Sequence, residues 1–453
     1  MPDPIELLAA HVVDTRYEDL PADVVAAAKT FILDTLGVGV AGSAGPWIGE
    51  LIETCSLSMP GDQARVWVHG TSLSAAGAAM VNGYQIHNSE FDCVHEEAVV
   101  HTVTVPLAAT LAVAERQGNI SGQALITAIA VGVDVACHLS VAVESGLRFF
   151  RPATAGGMGA VASIGKILGF DKATMINAFG AMHGQLCGTM QAHTEGSALL
   201  AVQIGFNARN AVMACDIANL GMVAPQQVLS GEFGYFALFE GKHHLADVLP
   251  DVGRLWRITE VAHKPFPSGR ATHGVLDACM ELKREAGFSA EQVHKVVAHI
   301  PPLVKNLVGR PVTEDMHTNY ARLCIPYVVA CAFLNDKVSV MDFTPDALRD
   351  PARLALGAKV SIAPDDNPNP NALTPVSVEV HLSDGTVLTR TVETVYGNPA
   401  KPMSYEAQMS KLRTNLDAGA RALPTAAAEH VSEMVQALET VTDVTRLVDA
   451  ITV

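Results

Sequence analysis

The chain has no C-x-x-C pair of cysteines, no excess of basic residues and no visible secretory signal, and each absence argues against a class of protein. Its eight cysteines are spread over 453 residues without a C-x-x-C pair, which argues against an iron–sulfur cluster or a structural zinc. Lys and Arg number 30 against 47 Asp and Glu, a formal net charge of −17. A field of that sign repels nucleic acid and anionic membranes, so neither is expected as a partner. The N-terminus shows no basic segment followed by an apolar one, so we expect a cytoplasmic protein.

Long apolar runs are also scarce. The longest, ALITAIAVGVDVACHLSVAV at residues 124–143, carries Asp134 and His138 near its middle, and both would be costly in lipid. It therefore predicts a helix buried in the core of a soluble protein. The glycine-rich GGMGAVASIG has no G-x-G-x-x-G motif and no preceding strand, so it predicts close helix packing rather than a phosphate site.

The pattern of apolar residues divides the chain into two kinds of structure. Residues 22–247 show a helical signal throughout, and the helical signal resumes from Ser404. Between these segments, VHKVVAHIPP predicts a strand, and VSVEVHLSDGTVLTRTVETV predicts a hairpin that turns at Ser383–Thr386. We therefore predict a mainly α protein. Residues 1–262 and 400–453 would form a large helical domain, and residues 263–399 an inserted α+β lid domain, with the ligand site in the cleft between them.

The stretch HNSEFDCVHEEAVVH, residues 87–101, concentrates titratable side chains and permits three interpretations. One is a metal site, for which the candidate ligands are His87, Glu90, Asp92, His95 and His101. Their spacing matches no familiar metal motif, so no metal ligand is predicted. The second is a solvated acidic turn, which suits Glu96 and Glu97 but leaves the apolar Phe91 and Val94 unexplained.

The third interpretation is an acid–base site. Carboxylates and imidazoles in a dry cleft have shifted pKa values and can move protons at neutral pH. In a chain this acidic, an anionic substrate would need local cations. Lys264, in HKPFPSGRATH at the predicted domain junction, is the leading candidate, with Arg270 and His273 beside it. The alternative for any single lysine is a solvated surface position.

Six segments in order carry a resemblance to a known family: VNGYQIHNSEFDCVH, HTVTVPLAATLAVAERQG, FFRPATAGGMGAVASIGKILGF, SGEFGYFALF, KPFPSGRATH and YARLCIPYVVACAFL. Over nearly its whole length the chain resembles the MmgE/PrpD family. Its members include 2-methylcitrate dehydratase, cis-aconitate decarboxylase and an iminodisuccinate epimerase. The resemblance implies a helical domain with a smaller lid domain, a homodimer, and an enzyme that needs no cofactor.

The resemblance also assigns residues. The family's acidic segment corresponds to Glu90-Phe91-Asp92, its histidine to His101, its lid lysine to Lys264 and its tyrosine to Tyr327.

Some family positions are changed in this chain. A threonine is replaced by Val94, a histidine by Arg151, a lysine by Leu200 and another histidine by Gln203. A pocket that has lost cations suits a dicarboxylate better than a tricarboxylate.

From these assignments we predict a cofactor-independent enzyme that moves an α-proton on a small anionic dicarboxylate, such as an iminodisuccinate-like amino diacid that it epimerises. His101 and Lys264 would be the acid–base pair, and burial beside another cation would lower the lysine pKa. Tyr327 would donate a hydrogen bond or a proton. The predicted substrate-binding residues are Glu90, Asp92, His95, Arg151 and Gln203, and one of the two carboxylates would orient His95 or His101.

Two other functions compete with this prediction. The same pair could eliminate water from a hydroxy di- or tricarboxylate, as a dehydratase does, which would create an alkene that absorbs in the ultraviolet. The chain could also be a non-catalytic binding protein for an organic acid. The retention of His101, Lys264 and Tyr327 argues against the binding protein.

Overall fold

The N-terminal part of the protein is a bundle of α-helices. The computed structural model describes residues 3–424 and 426–453 of the chain. The helices of this part are α1 (Ile5–Asp14), α2 (Ala22–Gly42), α3 (Ile48–Ser58), α4 (Ala75–His87), α5 (Thr104–Gln117), α6 (Gly122–Val141), α7 (Arg151–Ile167), α8 (Lys172–His183), α9 (Gln191–Glu195), α10 (Leu199–Asn219) and α11 (Leu245–Val248). The short strands are β1 (Ala64–Arg65), β2 (Ser72–Leu73), β3 (Val94–His95) and β4 (Val261–Ala262).

The C-terminal part mixes helices with a sheet. Its helices are α12 (Arg270–Ala286), α13 (Pro302–Val308), α14 (Thr318–Arg322), α15 (Ile325–Asn335), α16 (Pro345–Leu348), α17 (Pro351–Gly357), α18 (Tyr405–Asp417), α19 (Ala427–Gln436) and α20 (Thr445–Ala450). Its strands are β5 (Val293–Ile300), β6 (Val360–Pro364), β7 (Val376–Leu382) and β8 (Val387–Val392). Single turns of 3₁₀ helix lie at Tyr17–Asp19, Leu249–Asp251, Arg257–Glu260, Ala290–Gln292, Val340–Phe343 and Leu438–Thr440, and a π-helical turn at Phe236–Glu240. The predicted mainly α class is confirmed.

Small residues let the central helices approach closely. A Cβ on Gly159 of α7 would lie 2.5 Å from the carbonyl oxygen of Gly132 on α6, closer than atoms can pack. This bears out the interpretation of the glycine-rich segment as helix packing. Helices α2 and α6 are long and apolar enough to cross a membrane, but 94% of the apolar window of α6 is buried inside the protein. That burial is what the sequence predicted for residues 124–143.

The C-terminal sheet has the strand order β6-β5-β7-β8. Strands β5 and β6 run parallel, whereas β5–β7 and β7–β8 are antiparallel. Side chains of β7 alternate between buried and half-buried, because one face of the strand packs against α12. The predicted hairpin and its turn at Ser383–Thr386 are therefore confirmed.

The last helices return to the N-terminal bundle. Both α18 and α19 pack against α2, and Leu412 of α18 lies against Gly37. The C-terminal segment thus connects the sheet region back to the helical core. That residues 263–399 move as a lid stays a prediction.

Candidate functional site

The acidic stretch identified in the sequence forms a buried loop between α4 and α5. Its middle, β3, pairs antiparallel with β4, with Val94 opposite Ala262 and His95 opposite Val261. Lys264 follows β4 by two residues, so this pairing brings its side chain to the loop. Two segments far apart in the sequence thereby meet.

Asp92 lies between two histidines. Its Oδ2 lies 3.0 Å from Nδ1 of His87 and 2.9 Å from Nδ1 of His101, and the Thr104 hydroxyl donates to it at 2.6 Å. The two imidazole rings meet edge to face, with centroids 4.5 Å apart. Asp92 is fully buried, and burial alone would raise its pKa, but the two histidines hold that pKa well below its usual value. Asp92 is therefore a carboxylate that hydrogen-bonds the His87 ring and places its negative charge beside the His101 ring.

The two histidines have opposite pKa shifts. Burial lowers the pKa of His101, and Lys264 and His87 add to that effect, which exceeds the attraction of Asp92. For His87, burial is outweighed by Asp92 and Glu90, and the pKa rises. His87 therefore holds the proton more readily, and His101 is the neutral ring that can accept one.

Glu90 and Lys264 form the second buried pair. Lys264 Nζ donates to Glu90 Oε2 at 2.9 Å and to the Glu90 carbonyl oxygen at 3.1 Å, and the lysine is fully buried. Burial would raise the pKa of Glu90, but Lys264, His87 and His101 together lower it to about 2. Glu90 has φ +52°, and Val99 on the same loop has φ +53°. Such a conformation is strained, above all for a β-branched residue, and strained residues cluster at functional sites.

Buried cations hold the loop by its main chain. Arg322 donates to the carbonyl oxygen of Asn88, Lys264 to that of Glu90, and Lys411 of α18 to that of Phe91 at 3.0 Å. The ammonium of Lys411 also lies 4.1 Å from the centre of the Phe91 ring. We call Arg322, Lys264 and Lys411 the cation clamp. It explains why Phe91 interrupts the polar run, since its ring packs on a cation.

A cavity of about 70 Å³ lies beside the loop. Its polar side chains are Glu90, His101, His193 and Arg270. Its apolar side chains are Val94, Val99, Leu147, Phe150, Pro152, Met190, Ala271, Leu307, Val308, Leu323 and Leu373. Lys264 is absent from this lining, because Glu90 lies between its ammonium and the cavity. The lysine therefore acts on the cavity through the carboxylate it holds.

Arg151 and Gln203, the predicted carboxylate ligands, bind protein groups instead. The guanidinium of Arg151 donates to both carboxylate oxygens of Glu240, at 3.1 to 3.2 Å, and to the carbonyl oxygen of Ala98. Its net charge is thus offset within the fold, and it sits behind the loop as a support. The amide of Gln203 bonds to the main chain of Thr189 in both directions.

His95 and Tyr327 also lie outside the cavity. His95 Nε2 lies 3.0 Å from Glu260, so neither Glu90 nor Asp92 orients this ring, contrary to one of the two expectations. The hydroxyl of Tyr327 donates to the carbonyl oxygens of Asp342 and Ala347, at 2.6 and 3.0 Å. Its side chain braces α15 against the following turns.

Two histidines of the site were absent from the predicted set. His87 is the last residue of α4 and the second histidine beside Asp92. The two residues are five positions apart, and the turn between them brings their side chains together. The sequence alone does not predict the shape of that turn. His193 lies in α9 and lines the cavity, where burial first and Arg310 second lower its pKa to about 4. It is therefore neutral near pH 7.

Donor atoms of His87, Asp92 and His101 all lie within 4.8 Å of one another, so this group could hold a divalent cation. Asp92 Oδ2, however, already lies at hydrogen-bond distance from both Nδ1 atoms. The cluster is therefore also explained by contacts within the protein, without a cation.

Two models of known protein domains together match most of the chain. Residues 6–247 match the MmgE/PrpD N-terminal domain, and residues 266–440 match the MmgE/PrpD C-terminal domain. The chain belongs to the MmgE/PrpD family. The resemblance drawn from the sequence is thus confirmed at the level of the family.

Similar curated proteins are decarboxylases by name. Cis-aconitate decarboxylase of Homo sapiens is 28% identical over 431 residues, covering 90% of this chain and 87% of its own. The Mus musculus protein of that name is 27% identical over 432 residues, with 90% and 86% covered. That of Aspergillus terreus (strain NIH 2624 / FGSC A1156) is 26% identical over 463 residues, with 95% and 92% covered. These relatives support an enzyme of the lyase type and lend no support to the predicted epimerase branch.

Proposed function

We propose that the protein is a lyase that removes a proton from a carbon atom of a small carboxylic acid and eliminates water from it. The observation that carries the proposal is His101, a neutral imidazole on the cavity wall whose Nδ1 side faces the buried carboxylate of Asp92. A carboxylate at Nδ1 fixes the ring and stabilises the imidazolium that forms when Nε2 takes a proton.

The steps balance with groups already in the cavity. His101 Nε2 takes the proton from the carbon next to the substrate carboxylate, and the electron pair of that C–H bond forms the carbon–carbon double bond. The hydroxyl leaves from the neighbouring carbon and takes the proton now held by the His101 imidazolium, so that water forms and the ring is neutral again. His193 and Arg270 are the other donors on the wall, suited to the substrate carboxylate and the leaving oxygen.

A second candidate is decarboxylation of an unsaturated acid, which the names of the relatives favour. It needs a proton delivered to carbon after CO₂ departs, and the imidazolium form of His101 would supply it. The neutral state of His101 fits proton removal better, which is why elimination is the leading proposal. Epimerisation of an amino diacid differs from both reactions, because a proton is removed and returned and no group leaves the substrate.

One experiment separates these reactions. Citrate, 2-methylcitrate, malate, cis-aconitate and an iminodisuccinate stereoisomer are incubated with the protein in heavy water and followed by proton NMR. New vinyl signals without CO₂ support elimination. CO₂ with deuterium on carbon indicates decarboxylation, and α-deuterium with a changed diastereomer ratio and no alkene indicates epimerisation.

His101→Gln tests the assignment of the base. We expect turnover to fall about 10²- to 10⁴-fold, the usual contribution of a positioned general base. His430→Gln, on the exposed side of α19, is the matched control and should leave turnover unchanged. Near-normal turnover by His101→Gln would contradict the proposal.

A further inference from the structure

The cavity wall is mostly hydrocarbon. Half-buried Leu147, Met190, Leu307 and Leu373 surround the opening, and buried Phe150, Val308 and Leu323 lie with Val94 deeper in. These side chains come from separate segments, including α13 and the loop before β7. A polar ligand that leaves these side chains in contact with water gains no binding free energy from them. An apolar ligand would bury them and bind more tightly.

The positive charges near the cavity are already offset. Arg270 donates to Glu96 at 2.6 Å and to the carbonyl oxygen of Tyr396 at 2.8 Å. Lys264 is paired with Glu90, which itself faces the cavity as a carboxylate. A substrate with three carboxylates would meet one shared guanidinium and two neutral imidazoles here. Leaving a buried carboxylate without a partner is costly.

The whole-molecule charge works in the same direction. At a formal net charge of −17, the protein repels a trianion more strongly than a monoanion or dianion.

We infer that the substrate is a carboxylic acid with one or two carboxylates and an alkyl arm of several carbons. The carboxylate end meets His101, His193 and Arg270, and the arm lies along Leu307, Val308 and Leu373. This inference rests on the proposed function and names the substrate class of the same site. It departs from the compact dicarboxylate that the sequence predicted, because most of the cavity wall is apolar.

Binding of a homologous series tests the arm directly. Succinate and its 2-methyl, 2-propyl and 2-pentyl derivatives are titrated into the full-length protein by calorimetry, with tricarballylate as the three-carboxylate probe. We expect the Kd to fall about fourfold for each added methylene until the arm fills the cavity, since each buried methylene contributes a nearly constant increment. The heat-capacity change should become more negative along the series. Equal affinities across the series, or tightest binding by tricarballylate, would overturn the inference.

Wall variants locate the arm. Leu307→Ala should weaken the 2-pentyl compound about tenfold while changing the affinity for succinate less than twofold. Leu388→Ala, a half-buried leucine on β8 outside the cavity lining, is the matched control and should change neither. An equal loss for both ligands in Leu307→Ala would mean that the leucine supports the fold rather than the arm, and would count against the inference.

The two proposals fail separately. If the alkyl acids bind with the expected increments while no hydroxy or unsaturated acid is turned over, the ligand class stands and the lyase assignment is wrong. If citrate or cis-aconitate is turned over and alkyl arms weaken binding, the lyase assignment stands and the alkyl arm is wrong.

Discussion

At the scale of single residues, the relation between Asp92 and His101 predicts a pH profile. Activity that needs neutral His101 should fall on the acid side, at a pH below the usual histidine pKa of about 6.5, because burial lowers the pKa of this ring. The Asp92 carboxylate favours the imidazolium, so Asp92→Asn should lower the His101 pKa further and move the acid limb to still lower pH. The measurement is kcat/KM against pH for both proteins. An acid limb that moves upward in Asp92→Asn would contradict this geometry.

The Glu90–Lys264 pair predicts a pH dependence of stability. The Glu90 pKa is depressed to about 2 in the folded protein, against about 4.3 for a free glutamate. The pair therefore stabilises the fold fully above that unfolded value, and its contribution is lost as the pH falls from about 4.3 toward 2.

Glu90→Gln isolates this contribution. The difference in unfolding free energy between wild type and variant, from urea titrations, should shrink over the window of pH 4.3 to 2. A difference that stays constant across this window would show that Glu90 gains nothing from its buried partner.

At this scale the sequence predicted which loop residues belong to the site. It did not predict which groups each side chain contacts. Glu90, Asp92 and His101 do meet, because they lie in one short loop. Arg151 binds Glu240 instead of the cavity, and the two residues are separated by 89 positions. Whether Arg151 binds substrate or Glu240 depends on how α7 packs against the π-helical turn at Phe236–Glu240. No local sequence pattern encodes that packing.

At the scale of elements, α18 holds the acidic loop in place through the side chain of Lys411. Its ammonium lies 2.7 Å from Asp34 of α2 and donates to the Phe91 carbonyl oxygen. Lys411→Met would leave the Asp34 carboxylate buried without its partner, a change that destabilises proteins by about 3–5 kcal/mol. Chemical denaturation should show this loss, together with a lower kcat.

Arg413→Met provides the matched control on the same helix. Arg413 pairs with Glu429 at the exposed surface, where ion pairs contribute little. We expect its denaturation curve to overlay that of wild type. Similar losses for the two variants would mean that helix propensity, and not the buried pair, is responsible.

The elements themselves were largely predictable. Strand β5 and the β7–β8 hairpin carry β-branched alternation and a turn signal, both of which are local. The segment NYARLCIPYVVACAFLND forms two helices, α14 and α15, which are separated near Cys324 ahead of Pro326. The parallel pairing of β5 with β6 joins strands 60 residues apart and has no local signature.

At the scale of the whole molecule, the C-terminal helices are part of the core. Leu412 and Leu416 of α18 are buried, and α18 and α19 both cover α2. A chain that ends at residue 403 should therefore expose the apolar face of α2 and aggregate, as judged by sedimentation and circular dichroism. Adding the fragment 404–453 during refolding should recover soluble helical protein. A soluble 1–403 chain with the thermal stability of wild type would refute this dependence.

The cation clamp has a consequence for the order in which the site is made. All three cations of the clamp come after the loop in the sequence. The last of them, Lys411, lies 320 positions after Phe91. At about 5–20 residues per second, a ribosome needs roughly 20–60 s to extend the chain from the loop to this lysine. Throughout that time the carbonyl oxygen of Phe91 and the carboxylate of Asp34 lack the cation that binds them in the folded protein. A chain that terminates before Lys411 therefore lacks the complete cation clamp.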